Sequence, residues 1–479
     1  MAARPANAVA VAGFGLLPVL VAVGLLVLPP ALVVGAVLLL ALPVLVLRWP
    51  LVGAFAIVFV QYLRFGETFP ELAALHIDRL IYLMVILATA LHWLMHRRRL
   101  ARHPILWVLF AMLGVMALGI PMAYWRSAAL DTTEGFAKVL VGVLLLTNLV
   151  DSERALVQLV YVLGLAMVTV CARTLYGYEG GRAFGPSLEY GNANELAGTL
   201  TSVMPLLLLV GLRHRLGGAL GRLFLVAAWV PMLVVVVLTN SRAGAVGLVA
   251  AMLLLSLKAR RRVLALGASG LVLLVAWVAM GPERRERILS IAQRSEDASY
   301  VYRVYAWQAA RQMFLERPVL GVGAGSFAAA FYEEFTIPDR GRGRWMQAHN
   351  VYYQVLSELG LAGVLCFGLL LYLMFRTFRR CRRGWAEVEG NAISPLVEGA
   401  EVGLVVLLVT GWAGHNLYRF PYYLLASLAM IADRLTQARV LVVEGVVEPD
   451  QTADWGAGNG RAGRALPAGA SSAVGPDRG

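Results

Sequence analysis

One histidine stands where a proton acceptor would be useful. His349 occurs in Gln-Ala-His-Asn-Val-Tyr, at the point where a long polar segment enters an apolar run. A neutral imidazole there could take a proton from a hydroxyl, although a lone histidine is more often structural. Asn350 and Tyr352 follow it, and His415-Asn416-Leu417-Tyr418 repeats the pattern before a later apolar run. The pattern predicts a general base at His349 and leaves the second pair without a role.

Two arginines are placed to bind an anion. Arg242 occurs in Asn-Ser-Arg-Ala-Gly, between two apolar runs. Arg303 lies in residues 300–316, where apolar residues recur at helical spacing, and it shares a helix face with Trp307 and Arg311. A guanidinium can make two charge-assisted hydrogen bonds to a phosphate. The alternatives are an arginine that reaches the lipid headgroups in the first case and a surface amphipathic helix in the second.

Three further segments carry weaker signals. Arg182 precedes Gly-Asn-Ala-Asn-Glu-Leu-Ala (residues 191–197), whose asparagines are also typical helix caps. Arg79 begins another apolar run. Gly-Val-Gly-Ala-Gly-Ser-Phe (residues 321–327) has no preceding strand and no following Gly-Lys-Ser, so a tight backbone turn is favoured over a nucleotide site.

The sequence contains no metal-ligand pattern such as His-Glu-x-x-His and no Gly-x-Ser-x-Gly nucleophile. We therefore expect no metal and no cofactor. Arginines can hold a diphosphate without a metal, and a histidine can act as base toward a hydroxyl. Together they favour transfer from a lipid-diphosphate donor to an alcohol.

The elements that position these residues are membrane spans. Of the 479 residues, 59% are hydrophobic and only 15% are charged, against about 25% charged in an average soluble domain. Apolar runs are broken by short basic patches, and about 20 apolar residues in a helix cross the hydrocarbon layer. This composition excludes a soluble enzyme and a disordered protein, and three scattered cysteines exclude a disulfide scaffold. We predict an all-α, polytopic integral membrane protein.

Fourteen spans are predicted, or twelve if one pair is re-entrant. They lie near residues 11–29, 31–47, 51–64, 79–95, 104–124, 135–150, 154–174, 192–212, 222–239, 243–257, 263–280, 350–376, 397–415 and 417–435. The expected organisation is a transmembrane part over 1–280, a periplasmic loop with amphipathic helices over 281–349, C-terminal transmembrane helices over 350–440 and a disordered cytoplasmic tail over 441–479. The loop carries ten Arg and eight Asp or Glu.

Basic segments set the predicted orientation. Four of them lie at residues 96–102, 213–222, 258–262 and 376–383. With fourteen spans and a cytoplasmic N-terminus, the positive-inside rule is met by all four. Most of the net charge of +13 is thereby assigned to orientation, and the long loop falls outside.

These residues resemble the O-antigen ligase / O-antigen polymerase superfamily of bacterial envelope proteins. The resemblance is carried by four pieces in order, namely Gly185 to Ala197 with its Asn-x-Asn-x-Leu-Ala, Ser241-Arg242-Ala243-Gly244, the Gly-x-Gly-x-Gly-Ser-Phe of the loop, and Ala348-His349-Asn350-x-Tyr352 followed by Glu358-Leu359-Gly360.

The resemblance implies a membrane-embedded, GT-C-like glycosyltransferase that is inverting and metal-independent, in the bacterial inner membrane with its active site at the periplasmic face. Its donor would be a glycan on undecaprenyl diphosphate and, in a ligase, its acceptor a sugar hydroxyl of lipid A–core. By motif, His349 would be the base, and Arg242 and Arg303 would bind the diphosphate. Supporting substrate-binding candidates are Arg182, Arg311, Arg79, Asn350 and Tyr352. Membrane lipids are expected partners and nucleic acid is not.

Three other functions stay open. A polymerase of the same superfamily would elongate another lipid-linked repeat, and a protein O-oligosaccharyltransferase would usually carry an extra periplasmic domain. A lipid-linked glycan transporter would need charges inside the spans and helices broken at mid-membrane, whereas the middle regions of the spans are almost free of charge apart from Lys138. We favour the ligase, because a single outer loop with arginine and histidine precedes the last spans.

Overall fold

A computed structural model of the chain describes residues 41–73, 76–96, 100–187, 190–214, 218–289, 298–335 and 345–443. Regular structure within these ranges is helical, without strands, which confirms the all-α class. The predicted span near 11–29, most of the span near 31–47 and the tail beyond residue 443 lie outside the described residues.

The helices follow the predicted apolar runs closely. They are α1 Leu51–Leu63, α2 Phe65–Thr68, α3 Pro70–Ala73, α4 Ile77–Met95, α5 Pro104–Gly119, α6 Arg126–Leu149, α7 Glu153–Tyr176, α8 Ala193–Arg213, α9 Ala219–Ala227, α10 Trp229–Leu238, α11 Arg242–Lys258, α12 Arg262–Ala279, α13 Pro282–Leu289, α14 Ala298–Glu316, α15 Phe327–Glu333, α16 Val351–Gly384, α17 Ile393–Gly411 and α18 Phe420–Val443. Eight stretches of the described chain are long and apolar enough to cross a membrane, α9 and α10 counting as one. A polytopic membrane protein is therefore confirmed.

The centre of the bundle is formed by α8 and α17, which are buried along most of their length. Glycines allow their backbones to approach, since a Cβ at Gly403 would lie 2.3 Å from the carbonyl oxygen of Ser202. Small residues serve this purpose between membrane helices, where no hydrophobic force drives helices together. By contrast, α12 is almost wholly exposed along its apolar surface, as expected for a helix that faces lipid.

Ion pairs gather at one end of the bundle. Arg213 at the end of α8 pairs with Glu398 near the start of α17 (2.6 Å). Lys258 at the end of α11 and Arg382 near the end of α16 both pair with Glu401 (2.7 and 2.6 Å). Three of the four predicted basic segments thus lie at one end, and the starts of α8, α11 and α16 lie at the other.

Helix α16 is broken at Gly360, whose backbone is left-handed (φ 60°, ψ −156°). Four backbone hydrogen bonds join the break to residues 318–323: Leu361 N to Pro318 O (2.8 Å), Ala362 N to Val319 O (3.2 Å), Val322 N to Ser357 O (2.8 Å) and Gly323 N to Glu358 O (3.1 Å). Irregular backbone inside a membrane protein is tolerated where it is satisfied by protein. The glycine-rich segment is therefore a backbone turn, as predicted, and it closes this break.

The long loop contains α13, α14 and α15. The helix predicted over 300–316 is present as α14, which packs on α16. Its buried side, with Ala306, Ala310 and Met313, joins Phe327 and Phe331 of the α15 region in a small core of its own. This second core fixes α14 over the end of the bundle.

Candidate functional site

His349 lies just before α16 in a strained backbone conformation, with a left-handed φ of 45°. Trp307 of α14 donates its indole N–H to the carbonyl oxygen of Ala348 (3.0 Å). The indole ring also stacks on Tyr353, with centroids 5.5 Å apart. A non-glycine residue in this region costs of order 1–3 kcal/mol and persists where surrounding contacts determine it. The imidazole is thus presented by contacts from both α14 and α16.

Arg303 lies one turn before Trp307 on α14 and is half-buried. Burial, and after it the positive charge of Arg303, lower the pKa of His349 from 6.5 to about 4. Both causes disfavour the imidazolium, so the ring is neutral at pH 7 and can accept a proton. The structure therefore brings two of the predicted residues, the base and one diphosphate ligand, into electrostatic contact.

Arg242 is the first residue of α11 and is half-buried. The preceding Ser241 caps the helix and donates its hydroxyl to Asn194 Oδ1 of α8 (2.6 Å). Arg182 donates its Nε–H to the carbonyl oxygen of Thr239 (3.1 Å), which holds it beside the same turn. A helix N-terminus favours negative charge, so this corner combines two guanidinium groups with the positive end of α11.

Asn350 and Tyr352 have structural contacts at the start of α16. Asn350 is fully buried and caps the helix, because its Oδ1 accepts from the backbone N–H groups of Tyr352 (2.9 Å) and Tyr353 (3.2 Å). Tyr352 donates its hydroxyl to the carbonyl oxygen of Leu408 (2.8 Å), and its ring lies against Trp412. These contacts tie α16 to the end of α17 beside His349.

Arg311 and Arg79 stand apart from these residues. Arg311 is exposed, lies two turns beyond Arg303, and makes no hydrogen bond or ion pair with the described part of the chain. Arg79, also exposed, interacts electrostatically with Glu134 of α6. The structure groups neither of them with His349, so their roles in binding remain predictions from the resemblance alone.

Two buried acids at the same end were not predicted as site residues. Glu358 is fully buried and accepts from Tyr418 (2.9 Å), Gln354 (3.3 Å) and the backbone N–H of Phe327 (3.4 Å). Glu195 accepts from the backbone N–H of His415 (2.7 Å). An acid in an apolar span is costly unless it is paired, and that rule could have singled out both from the sequence.

Comparison with known proteins gives one family. Residues 227–368 match the family described as O-Antigen ligase, and this stretch contains Arg242, Arg303, His349 and the break in α16. No curated protein matches the chain. Over residues 227–368 the chain is therefore similar to the O-antigen ligase family, in agreement with the order of motifs in and around this stretch.

Proposed function

We propose that the protein is an O-antigen ligase, which transfers a polysaccharide from undecaprenyl diphosphate to a sugar hydroxyl of lipid A–core. The observation that carries this proposal is the neutral, half-buried imidazole of His349 within electrostatic reach of the cation Arg303. A base and an anion ligand next to each other are what a transfer between a diphosphate ester and an alcohol requires.

The arginines act on the donor. Arg303, together with Arg242 at the N-terminus of α11, binds the diphosphate, and Arg182 supports Arg242 from the same turn. Hydrogen bonds to charged groups are each worth about 1.5–3 kcal/mol. As the bond between sugar C1 and the diphosphate oxygen breaks, charge develops on the leaving group and these bonds strengthen. In this mechanism the arginines supply the positive charge, so the reaction is metal-independent.

His349 acts on the acceptor. The acceptor oxygen attacks C1 from the face opposite the leaving diphosphate, and its proton passes to the imidazole, so the configuration at C1 is inverted. A pKa of about 4 makes the free site a weak base. A diphosphate bound to Arg303 offsets the charge that lowers this pKa, and it therefore raises the pKa toward neutrality. Donor binding thus makes His349 a better base when it is needed.

The site lies at the end of the bundle opposite the three basic segments. The positive-inside rule assigns those segments to the cytoplasm, and the site to the periplasmic face of the inner membrane. At that depth the donor's lipid lies in the bilayer and its diphosphate reaches the arginines. In this proposal residues 281–349 are the periplasmic loop that completes the active site, residues 1–280 and 350–440 are the transmembrane parts, and 441–479 form a cytoplasmic tail.

The broken helix and the buried Glu358 also bear on the transporter alternative. In a transporter, the open ends of a broken helix bind the substrate or ion. Here four backbone groups at the break bond to residues 318–323, and the carboxylate accepts three hydrogen bonds from protein. These groups are satisfied within the chain, which favours a rigid catalytic end over a moving gate.

Reconstitution tests the proposal. The protein is placed in vesicles with undecaprenyl-diphosphate-linked glycan and, separately, with lipid A–core, with further donor or with a protein acceptor, all in the presence of EDTA. Glycan on lipid A–core supports the ligase. Elongation of the lipid-linked chain would instead identify a polymerase, and glycan on Ser or Thr a protein glycosyltransferase.

Variants test the residue roles in the same assay. His349→Ala is expected to abolish transfer while donor binding persists, and Arg242→Ala and Arg303→Ala are expected to lose donor binding. Arg379→Ala is the matched control, because Arg379 is exposed at the opposite end of α16. Full transfer by His349→Ala, or normal donor binding by both arginine variants, would show the assignments to be wrong.

A further inference from the structure

Buried polar atoms without partners gather around the candidate site. In the described part of the chain, five such atoms are Gln347 Oε1, His349 Nδ1, Asn350 Nδ2, His415 Nδ1 and Asn416 Oδ1. Nearly all buried polar groups in proteins have a hydrogen-bond partner, and each exception calls for an explanation. These five atoms belong to both members of each His-Asn pair and to a close neighbour of the first pair, and eleven further atoms of this kind belong to other described residues.

The two His-Asn pairs meet in space although 65 positions separate them in the sequence. The turn between α17 and α18 packs on the first turns of α16, since Leu417 donates its backbone N–H to Gln354 Oε1 (3.2 Å). His415 Nε2 lies 3.9 Å from Glu358 Oε1. The electrostatic contact extends to the first pair, because burial and then His349 lower the pKa of His415. The repeated motif in the sequence is thus one cluster in the fold.

Hydrogen bonds and burial hold the two His-Asn pairs in place. Glu195 fixes the backbone of His415 (2.7 Å). Asn350 is fully buried, and its Oδ1 caps α16 while its Nδ2 has no hydrogen-bond partner. Asn416 is only 8% exposed, and its Oδ1 is likewise left over. Nδ2 of Asn350 is therefore held in position by the bonds of its own Oδ1, and burial keeps Oδ1 of Asn416 from solvent.

The chemistry of these atoms indicates a class of ligand. The oxygens of Gln347 and Asn416 can only accept a hydrogen bond, and Nδ2 of Asn350 can only donate one. The carboxylate of Glu358 near Nε2 of His415 favours the proton on that nitrogen, which leaves Nδ1 as a further acceptor. A phosphate ionised at neutral pH offers mainly acceptors and cannot satisfy acceptors. Hydroxyl groups both donate and accept, and the neighbouring hydroxyls of a sugar ring can meet the whole set.

We propose that His415 and Asn416, with Gln347 and Asn350, form a binding site for the hydroxyl groups of the acceptor sugar. The site presents one hydroxyl to His349. It deepens the proposed function and rests on it, since it supplies the acceptor half of the transfer. The arginines form the other half of the site, which binds the diphosphate. That half offers cationic hydrogen-bond donors, whereas the half that binds the sugar offers neutral donors and acceptors.

Binding measurements separate the two halves. The full-length protein in nanodiscs is titrated with three probes: core oligosaccharide freed of lipid A, free O-antigen repeat oligosaccharide, and undecaprenyl diphosphate. Asn416→Ala is expected to weaken binding of the oligosaccharide that the wild type binds by about 2- to 10-fold, the range for one lost hydrogen bond, and His415→Gln to weaken it similarly. Both variants should bind undecaprenyl diphosphate as the wild type does, and Arg242→Ala should show the reverse pattern. His96→Ala is the control, since His96 is exposed and is the first residue of the predicted inner basic segment 96–102.

The outcomes are separable from those of the transfer assay. If the wild type binds neither oligosaccharide, or if Asn416→Ala and His415→Gln bind it unchanged, the proposal is overturned. Equal loss of oligosaccharide and undecaprenyl diphosphate would overturn it as well, because that result indicates a general structural role. Selective loss of oligosaccharide binding without any transfer by the wild type would uphold the sugar site and refute the ligase.

Discussion

Gly321 is the point at which the glycine-rich turn meets α16, and alanine should not fit there. Its backbone is left-handed (φ 68°), and a Cβ would lie 2.4 Å from the carbonyl oxygen of Ser357. The obstructing atom belongs to backbone, so no side chain can move aside. We therefore expect Gly321→Ala to push residues 318–323 away from the break in α16.

The magnitude follows from what is lost. A left-handed alanine costs roughly 1–2 kcal/mol. The displaced turn also forfeits the bonds from Val322 to Ser357 and from Gly323 to Glu358, each worth about 0.5–1.5 kcal/mol net. The docking of the turn should therefore weaken by about 2–5 kcal/mol, enough to leave the break open in a large share of molecules. Because α14 leads into this turn and Val322 shares a small core with Ala348, transfer should fall by at least an order of magnitude.

Gly368→Ala provides the matched control. Gly368 lies in α16, and a Cβ there would meet nothing within 4 Å. Alanine at an unhindered helical position is neutral or stabilising by about 0.5–1 kcal/mol. Thermal unfolding in nanodiscs and the transfer assay compare the two variants. If Gly321→Ala is as stable and as active as Gly368→Ala, the turn does not hold α16, and the reasoning about the break is wrong.

The remaining predictions concern charge and support. Arg303→Gln should raise the pKa of His349 but leave it below 6.5, because burial is the larger cause, and Arg303→Lys should not raise it. Histidine NMR titration of the donor-free protein measures this without requiring transfer, and a pKa of His349 that stays unchanged in Arg303→Gln contradicts the electrostatic contact. Trp307→Phe removes the donor to Ala348 O and should lower kcat with donor binding retained, whereas an unchanged kcat would argue that this bond does not position the base. Glu401→Gln removes two partly exposed ion pairs. It should reduce the free energy of unfolding by about 1 kcal/mol or less per pair, so the melting temperature falls slightly while transfer is unchanged.

The helices were predictable because the length of an apolar run is set by the bilayer. The predicted span over 192–212 corresponds to α8 at Ala193–Arg213, and the predicted span over 243–257 to α11 at Arg242–Lys258. The predicted single span over 222–239 is divided into α9 and α10 at Ala228. Such a division depends on packing against neighbours and leaves little trace in hydropathy.

Candidate residues could be named from the sequence where a short motif contains them. Features that depend on contacts between distant segments could not. Residue type and helical spacing singled out His349 and Arg303, and in the fold Arg303 lies within electrostatic reach of His349, while their roles stay predictions. The break at Gly360 did not follow, because a single glycine in an apolar run looks ordinary and its hydrogen-bond partners lie some 40 positions earlier. The role of Glu195 depends on a contact with a turn 220 positions away, which periodicity within one segment cannot indicate.

The break in α16 also has a consequence for how the chain is made. Four backbone groups open at this point, and in hydrocarbon each would cost several kcal/mol if left without a partner. Their partners, residues 318–323, precede α16 in the chain and are synthesised first. In the proposed orientation, the first part of α16 is therefore stable in the membrane only once that turn has been translocated and has folded back against it. Biogenesis of the loop and of the last spans is thus coupled, and a defect in the turn should appear as slow or faulty insertion of α16 during synthesis, before any substrate is met.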